Sequence, residues 1–240
     1  MSGVPEAQTV GAGVGIRIIP GIELSARVPT GQMHLLGYFP DANPAAVLAR
    51  LSELRALREE RARGVVERLA AIGATVDWDD VRARAREAIG RPHIADSLVA
   101  AGHATDRSDA FERFLAEGRP GYIASVGLSP EDALALVRAS GGAPVLAHPA
   151  TLRQDPSQLD VTVERLARAG LIGIEVHRPE HTRDQRRQYG WLATRHGLVA
   201  AGGSDFHSPD WKATLGDTGH PALPADVIDR LLHRADAGRG

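Results

Sequence analysis

From Ser129 to about residue 234 the chain alternates apolar runs of strand length with amphipathic runs of helix length, and this alternation constrains its fold more than any other feature. A helix is predicted over 129–140, opened by Ser129-Pro130-Glu131-Asp132, whose hydroxyl cap, proline and acidic first turn form an N-terminal signature. The strand APVLAHP follows, then a helix over 157–169, the strand LIGIEVH, a helix over 180–196, the strand LVAAGGSDFH and a last helix over about 224–234. Such an order predicts parallel strands joined by crossover helices. Upstream, strands are expected at Ile16 to Ile19 and at MHLLGYF (33–39), the second closed by the turn-like PDANP. Between them and Ser129 the period changes. Val47, Leu48, Leu51, Leu54 and Leu57 recur at three- and four-residue spacing, and Val65, Val66, Leu69 and Ile72 continue the stripe. Short helices are expected at 78–88, 92–101 and 108–117. The expected organisation is one α/β domain made of 1–43 and 122–240, interrupted by an all-helical insertion over 44–121.

Composition narrows the chemistry. The 240 residues include no cysteine, which excludes disulfides, thiolate metal sites and cysteine nucleophiles, so any metal must sit on His, Asp or Glu. With 28 basic and 30 acidic residues the net charge is -2, and no global field draws the chain to nucleic acid or anionic membrane. Lys212 is the only lysine; the other basic residues are arginine. No stretch approaches the roughly 18 apolar residues of a membrane span, and the first residues lack the pattern of a signal peptide, so a cytoplasmic location is expected.

Histidines and carboxylates gather beside the strands. Glu23 follows Ile-Pro-Gly-Ile, His34 begins HLLGYF, His148 ends the strand from Pro144 to Ala147, and Asp205 and His207 stop the strand ending in Gly-Gly-Ser. Reactive groups of parallel α/β barrels collect where strand ends meet loops, so several of these can converge on one rim. Imidazoles and carboxylates together match the ligand set of a hydrolytic metal centre, which polarises a phosphoryl oxygen and lowers the pKa of bound water. Taken singly, each has an ordinary reading: a solvated loop histidine, a surface carboxylate, an Asx-turn aspartate, a half-buried strand histidine. Four such sites, all beside strands, favour the metal reading.

The strings PGIELSA, HLLGYFPD, RPHIADSLVAAG, VLAHPA, GIEVHRPEHT and GGSDFH resemble, in order and spacing, the motifs of the PHP (polymerase and histidinol phosphatase) family of phosphoesterases, nearest to the bacterial subgroup of nucleotide phosphatases and 5′-end exoribonucleases. The resemblance runs from about Ser2 to His207. It implies an α/β fold, a distorted seven-stranded β/α barrel with a helical insertion, and a cluster of divalent metal ions (Mn, Fe or Zn). It also implies metal ligation by Glu23, His34, His148, Asp205 and His207, with a metal-activated hydroxide and no covalent enzyme intermediate. The implied substrates are small phosphorylated molecules, 3′,5′-bisphosphonucleotides or short RNA 5′ ends, with no membrane partner. Arg91, His93, Arg119 and His181 stand where substrate phosphate would bind. For Arg91, His93 and Arg119 surface salt bridging or helix-start chemistry weighs equally. His177 occupies a place where an aromatic residue is expected.

One departure stands out. Family members begin with a His-x-His strand, a Ser-Asp motif and an Asp-His-Asp strand end, and this sequence shows no such series ahead of Glu23. By that pattern about forty residues, two strands and a helix, would precede Met1. The five remaining ligands are then expected to hold one metal rather than three, and the barrel to expose an edge. A start codon placed too late, a shortened chain and a degenerate gene product each account for this. The competing reading is a non-catalytic PHP-like binding module, and a structural domain of a DNA polymerase is a third.

Overall fold

The computed structural model describes residues 3–39, 44–85, 89–124, 127–207 and 214–237. The turn read at PDANP and the end of the helix expected to reach 88 lie outside them. The chain divides into two compact units, one of residues 1–47 and 128–240 and one of residues 48–127.

The first unit is mixed α/β, with a five-stranded sheet in the order β1 (Gly21–Ala26), β2 (Met33–Tyr38), β3 (Ala143–Leu146), β4 (Gly173–His177) and β5 (Val199–Gly202). A helix not expected from the sequence, α1 (Val4–Gly13), precedes it with Pro5 in its first turn. The strand expected at Ile16–Ile19 does not form; Ile16 is exposed, and pairing begins only after Pro20, which has no N–H to give a ladder. Glu23 therefore lies inside β1 rather than after a strand. The parallel strands expected from the strand–helix alternation are found in β3, β4 and β5, while β2, for which the sequence indicated no direction, runs antiparallel to both β1 and β3. This reversal has a consequence for the site. The start of β2, where His34 lies, falls at the same end of the sheet as the carboxyl ends of β3, β4 and β5.

Alternation along the strands assigns one sheet face. Register pairs Ser25 with His34, Glu23 with Leu36, Leu36 with Val145, Val145 with Gly173, and Glu175 with Ala201. One end of this face is apolar: Leu36, Tyr38, Ala143, Val145, Val199 and Ala201 pack with Val227 and Leu231 of the last helix, α9 (Val227–Ala237). A Cβ on Gly173 would meet the Leu231 side chain at 2.8 Å, so glycine lets α9 approach the sheet closely. Two residues further along β4 the same face presents Glu175, and its polar end holds Glu23 and His34 as well. On the opposite face, α6 (Pro130–Ala139) packs against β1, β2 and β3, and α8 (Arg183–Arg195) packs against β4 and β5. Between β3 and β4 runs α7 (Pro156–Arg168), which opens with an Asp155–Gln158 capping box.

The second unit is helical. Its parts are α2 (Ala45–Ala71), which begins in the last residues of the first unit, α3 (Trp78–Arg84), α4 (Arg91–Ala100) and α5 (Arg107–Ala110), which runs on into a π-helical turn at Phe111–Leu115. Ala62, Val65, Leu69, Val81, Ile94, Leu98 and Leu115 form its buried core. Asp77 caps α3 by accepting from the Asp79 and Asp80 amides at 2.7 and 3.0 Å. Among the described residues no helix is long and apolar enough to cross a membrane.

Leu231 is 1 % exposed and closes the apolar half of the sheet face. Leu231→Ala is expected to lower unfolding stability by about 2–5 kcal/mol, read as a lower urea midpoint with an unchanged slope.

Candidate metal centre

At the polar end of the sheet three donors meet. Glu23 Oε1 lies 2.6 Å from His34 Nδ1 and 3.3 Å from His148 Nε2, and the two imidazole nitrogens are 3.3 Å apart. Around an ion with bonds of about 2.1 Å, neighbouring donors sit about 3.0–3.4 Å from one another. Two of the three edges have that length, and the third is a hydrogen bond that must open by about half an ångström to admit an ion. A second group, Glu23, Asp205 and His207, also brings one donor atom from each residue within 4.8 Å of the others. Glu23 belongs to both groups. The five residues share a pocket of ≈ 440 Å³ with Gln32, Thr151, Arg178, Glu180, His181 and Gln185.

Local backbone explains how these side chains are aimed. His148 and Asp205 both have positive φ, 26° and 52°, a region that side-chain-bearing residues adopt at a cost. That cost is held in place by tertiary contacts. The His148 amide donates to Glu175 Oε2 at 2.6 Å, and the Asp205 carboxylate accepts from Arg178 at 3.1 Å. Gly202 allows close approach at the end of β5, because a Cβ there would lie 2.1 Å from the His177 carbonyl oxygen. The β1–β2 connection is pinned too: the Gln32 amide donates to the Thr151 carbonyl, and Thr151 Oγ1 donates back to the Gln32 carbonyl, each at 2.8 Å.

Thr151 also sets the tautomer of His148. Its single hydroxyl proton is directed to the carbonyls of Gln32 and His148, so Oγ1 accepts from His148 Nδ1–H at 3.2 Å. In the neutral ring the lone pair of Nε2 is thereby turned towards Glu23 and His34, the orientation a metal ligand requires, and in the protonated ring the Nε2–H donates to Glu23 at 3.3 Å. Hydrogen bonds from His148 and His34 hold the Glu23 carboxyl well below the usual carboxylate range, despite its partial burial. Burial opposes charge on His148, but the Glu23 and Glu175 carboxylates outweigh it and raise its pKa. Proton and metal ion therefore compete for one nitrogen.

Sequence reasoning passed over Glu175 and Arg178. Glu175 is 3 % exposed, and burial pushes its carboxyl up against the opposing effects of Arg178 and the His148 amide. Arg178, 5 % exposed, reaches Glu175 at 3.1 Å, Asp205 at 3.1 Å and Glu180 at 3.3 Å. A carboxylate in the middle of an apolar strand, GIEV, was the available signal, since such a residue must find a buried partner.

The other expected residues fall into two places. His181 lines the same pocket; its Nδ1–H donates to the Val176 carbonyl at 3.1 Å, and its buried Nε2 has no hydrogen-bond partner among the described residues. Burial pushes its pKa down to about 4, so it meets a ligand as a neutral acceptor. His177 is absent from that pocket's lining and donates to the Pro221 carbonyl at 3.1 Å. Arg91, His93 and Arg119 belong to the helical unit. His93 Nδ1 accepts the Gly90 amide at 3.0 Å in the first turn of α4, and Arg119 is exposed in the turn after the π-helical segment.

A group that binds its proton more tightly in the folded chain contributes stability in full below its unfolded pKa and loses it as pH rises through the folded value. His148 is raised from 6.5 and Glu175 from 4.5, so both weaken the metal-free fold as pH rises, whereas the lowered Glu23 matters only in acid below 4.5. The melting temperature of chelator-treated protein is expected to fall from about pH 6 to about pH 8, and Glu23→Gln to make that fall shallower. An identical slope in the variant contradicts the assignment.

No family model matches the chain. It is 34 % identical over 209 residues to a 3′,5′-nucleoside bisphosphate phosphatase of Chromobacterium violaceum, across 86 % of this chain and 73 % of that protein. It is 31 % identical over 200 residues to the 5′-3′ exoribonuclease Rnm of Escherichia coli, across 82 % of this chain and 68 % of that one. A solved structure from Bifidobacterium adolescentis, assigned as a metal-dependent phosphoesterase, superposes with a TM-score of 0.64 at 32 % identity over 96 % of this chain and 81 % of its own. The motifs, the mixed α/β fold and these likenesses agree: the chain belongs to the PHP family of metal-dependent phosphoesterases.

Proposed function

We propose that this metal-dependent phosphoesterase hydrolyses phosphate esters of nucleotides, 3′,5′-bisphosphonucleotides or the 5′ ends of short RNA, with divalent ions held by Glu23, His34, His148, Asp205 and His207. The observation that supports it is the sharing of Glu23 by two donor triads in one pocket. The sequence led to an expectation of one ion; a carboxylate common to both triads fits two. Imidazole and carboxylate donors suit Mn, Fe and Zn alike. When bound, such ions supply Lewis acidity towards a phosphoryl oxygen and lower the pKa of the attacking water.

The chain's own residues do the rest. Thr151 keeps the His148 lone pair directed inward, and Glu175 and Arg178 hold the two strained ligand segments in register. Asp205 is left with Oδ1 for a metal, because Oδ2 is bound by Arg178. His181 Nε2 accepts from a protonated phosphoryl oxygen or a leaving hydroxyl; Arg91, His93 and Arg119, which belong to the helical unit, remain phosphate-binding candidates on the family resemblance alone. We read residues 1–43 and 122–240 as part of the family's distorted β/α barrel and 44–121 as an insertion in it.

Turnover of adenosine 3′,5′-bisphosphate or a 5′-phosphorylated trinucleotide with Mn²⁺ tests the proposal. His148→Ala and Asp205→Ala are each expected to reduce kcat by at least about a hundredfold, since each removes a ligand. Thr151→Val, nearly isosteric, is expected to weaken metal binding about 10- to 100-fold by calorimetry while leaving the fold intact. Metal-loaded protein that leaves every such substrate untouched contradicts the reading.

A further inference from the structure

Helix α8 carries a row of exposed residues on one face: Arg183, Arg187, Trp191 and Arg195, each four positions after the last. With 1.5 Å of rise per residue the row is about 18 Å long. The helix packs on β4 and β5 and buries Tyr189, Leu192 and Ala193, so core packing does not account for a tryptophan on its outer side. Trp191 is 52 % exposed, and the Arg195 guanidinium carbon lies 5.0 Å from its ring centre. The ion pairs along the row are weak ones. Arg187 meets Asp184 at 3.1 Å, both side chains largely exposed. Arg195 meets Asp160 at 3.3 Å, where His196 holds the same carboxylate oxygen more closely, at 2.6 Å. Exposed pairs of this kind yield readily to an incoming anion.

At its N-terminal end the row runs into a cavity of ≈ 980 Å³ whose lining includes Arg183, Arg186, Arg187, His177 and His220 and, among the described residues, no carboxylate. Arg186 donates there to the carbonyls of Arg178, His181 and His220, neutral acceptors that leave its charge uncancelled. His181 lines this cavity and the metal pocket alike, so the two share a wall. Cations in a row with an aromatic ring between them suit a single nucleic-acid strand: the guanidiniums neutralise successive phosphates, and the indole offers its face to a base of any identity. A bisphosphonucleotide held at the metal centre has one phosphate left over, too few for three guanidiniums.

We infer that the outer face of α8, with the cavity at its N-terminal end, carries single-stranded RNA whose 5′ end lies at the metal centre, and that Trp191 stacks on one of its bases. The position of the 5′ end rests on the proposed function; the surface favours an RNA chain over the bisphosphonucleotide as the substrate of that site.

The test is fluorescence anisotropy of a 3′-labelled hexaribonucleotide with the full chain stripped of metal by chelator, the 5′ end left as a hydroxyl so that no terminal phosphate is offered to the metal centre. Binding is expected to weaken about five- to a hundredfold in Trp191→Ala and to be largely kept in Trp191→Phe. Arg183→Gln combined with Arg187→Gln is expected to weaken it at least about tenfold and to lower the slope of log affinity against log salt by about 1.4. All three residues are exposed, and circular dichroism checks that each variant folds. Affinity unchanged in both the Trp191→Ala and the double variant overturns the surface, as does absence of binding. Equally tight binding of duplex RNA of the same length also overturns it, since paired and stacked bases do not reach Trp191. Turnover that depends on His148 alongside hexanucleotide binding indifferent to Trp191 and the two arginines sinks this inference and leaves the proposed function standing. Binding that depends on them in a chain that hydrolyses nothing does the reverse.

Discussion

The Glu175 carboxylate is the contact on which the arrangement of the candidate metal centre depends. It sits within β4, almost without exposure, and joins the His148 amide at the end of β3 to Arg178, which in turn grips Asp205 beyond β5. Three strand ends are thereby tied by one buried ionic chain. Both residues it restrains have positive φ, so the chain of contacts holds conformations that the backbone alone disfavours. Loss of either partner leaves a buried charge uncompensated, which is far more damaging than loss of a surface pair.

Around that chain the sheet is divided between stability and chemistry. One end of a single face is apolar and closed by α9; the other end carries Glu23, His34 and Glu175. The antiparallel turn of β2 makes the division work. It carries His34, at the beginning of its strand, to the end where His148 and Asp205 arrive from the carboxyl ends of theirs. Thr151 then links the β1–β2 connection to the turn after β3 and orients His148 with the same hydroxyl.

Much of this was legible in the sequence. The strand–helix alternation from α6 onward was readable because each strand is a short apolar run, and α6, α7 and α8 each begin at a capping residue: Ser129, Asp155 and Thr182 bind amides of their own first turns. The placement of Glu23, His34, His148, Asp205 and His207 beside strands was visible in the sequence, but metal ligation by them was implied only by the family resemblance. Glu23 shows the limit. Its strand was placed too early, because Ile16 to Ile19 is as apolar as a strand, and periodicity does not reveal that a segment lacks a pairing partner. The direction of β2 was hidden for the same reason: strand polarity is decided by pairing, not by local pattern. The links from Glu175 to the His148 amide and from Arg178 to Asp205 are tertiary facts, visible only once strands far apart in sequence are brought together.

The claim that most needs measurement is that Glu23 serves two ion positions. Metal content per chain, determined by elemental analysis after loading with Mn²⁺ and removal of free ion, tests it directly in the unchanged protein and in His34→Ala, His207→Ala and Glu23→Ala. The account predicts two ions in the unchanged chain, about one in each histidine variant and almost none in Glu23→Ala. Retention of a full ion by Glu23→Ala, with its fold intact by circular dichroism, contradicts it.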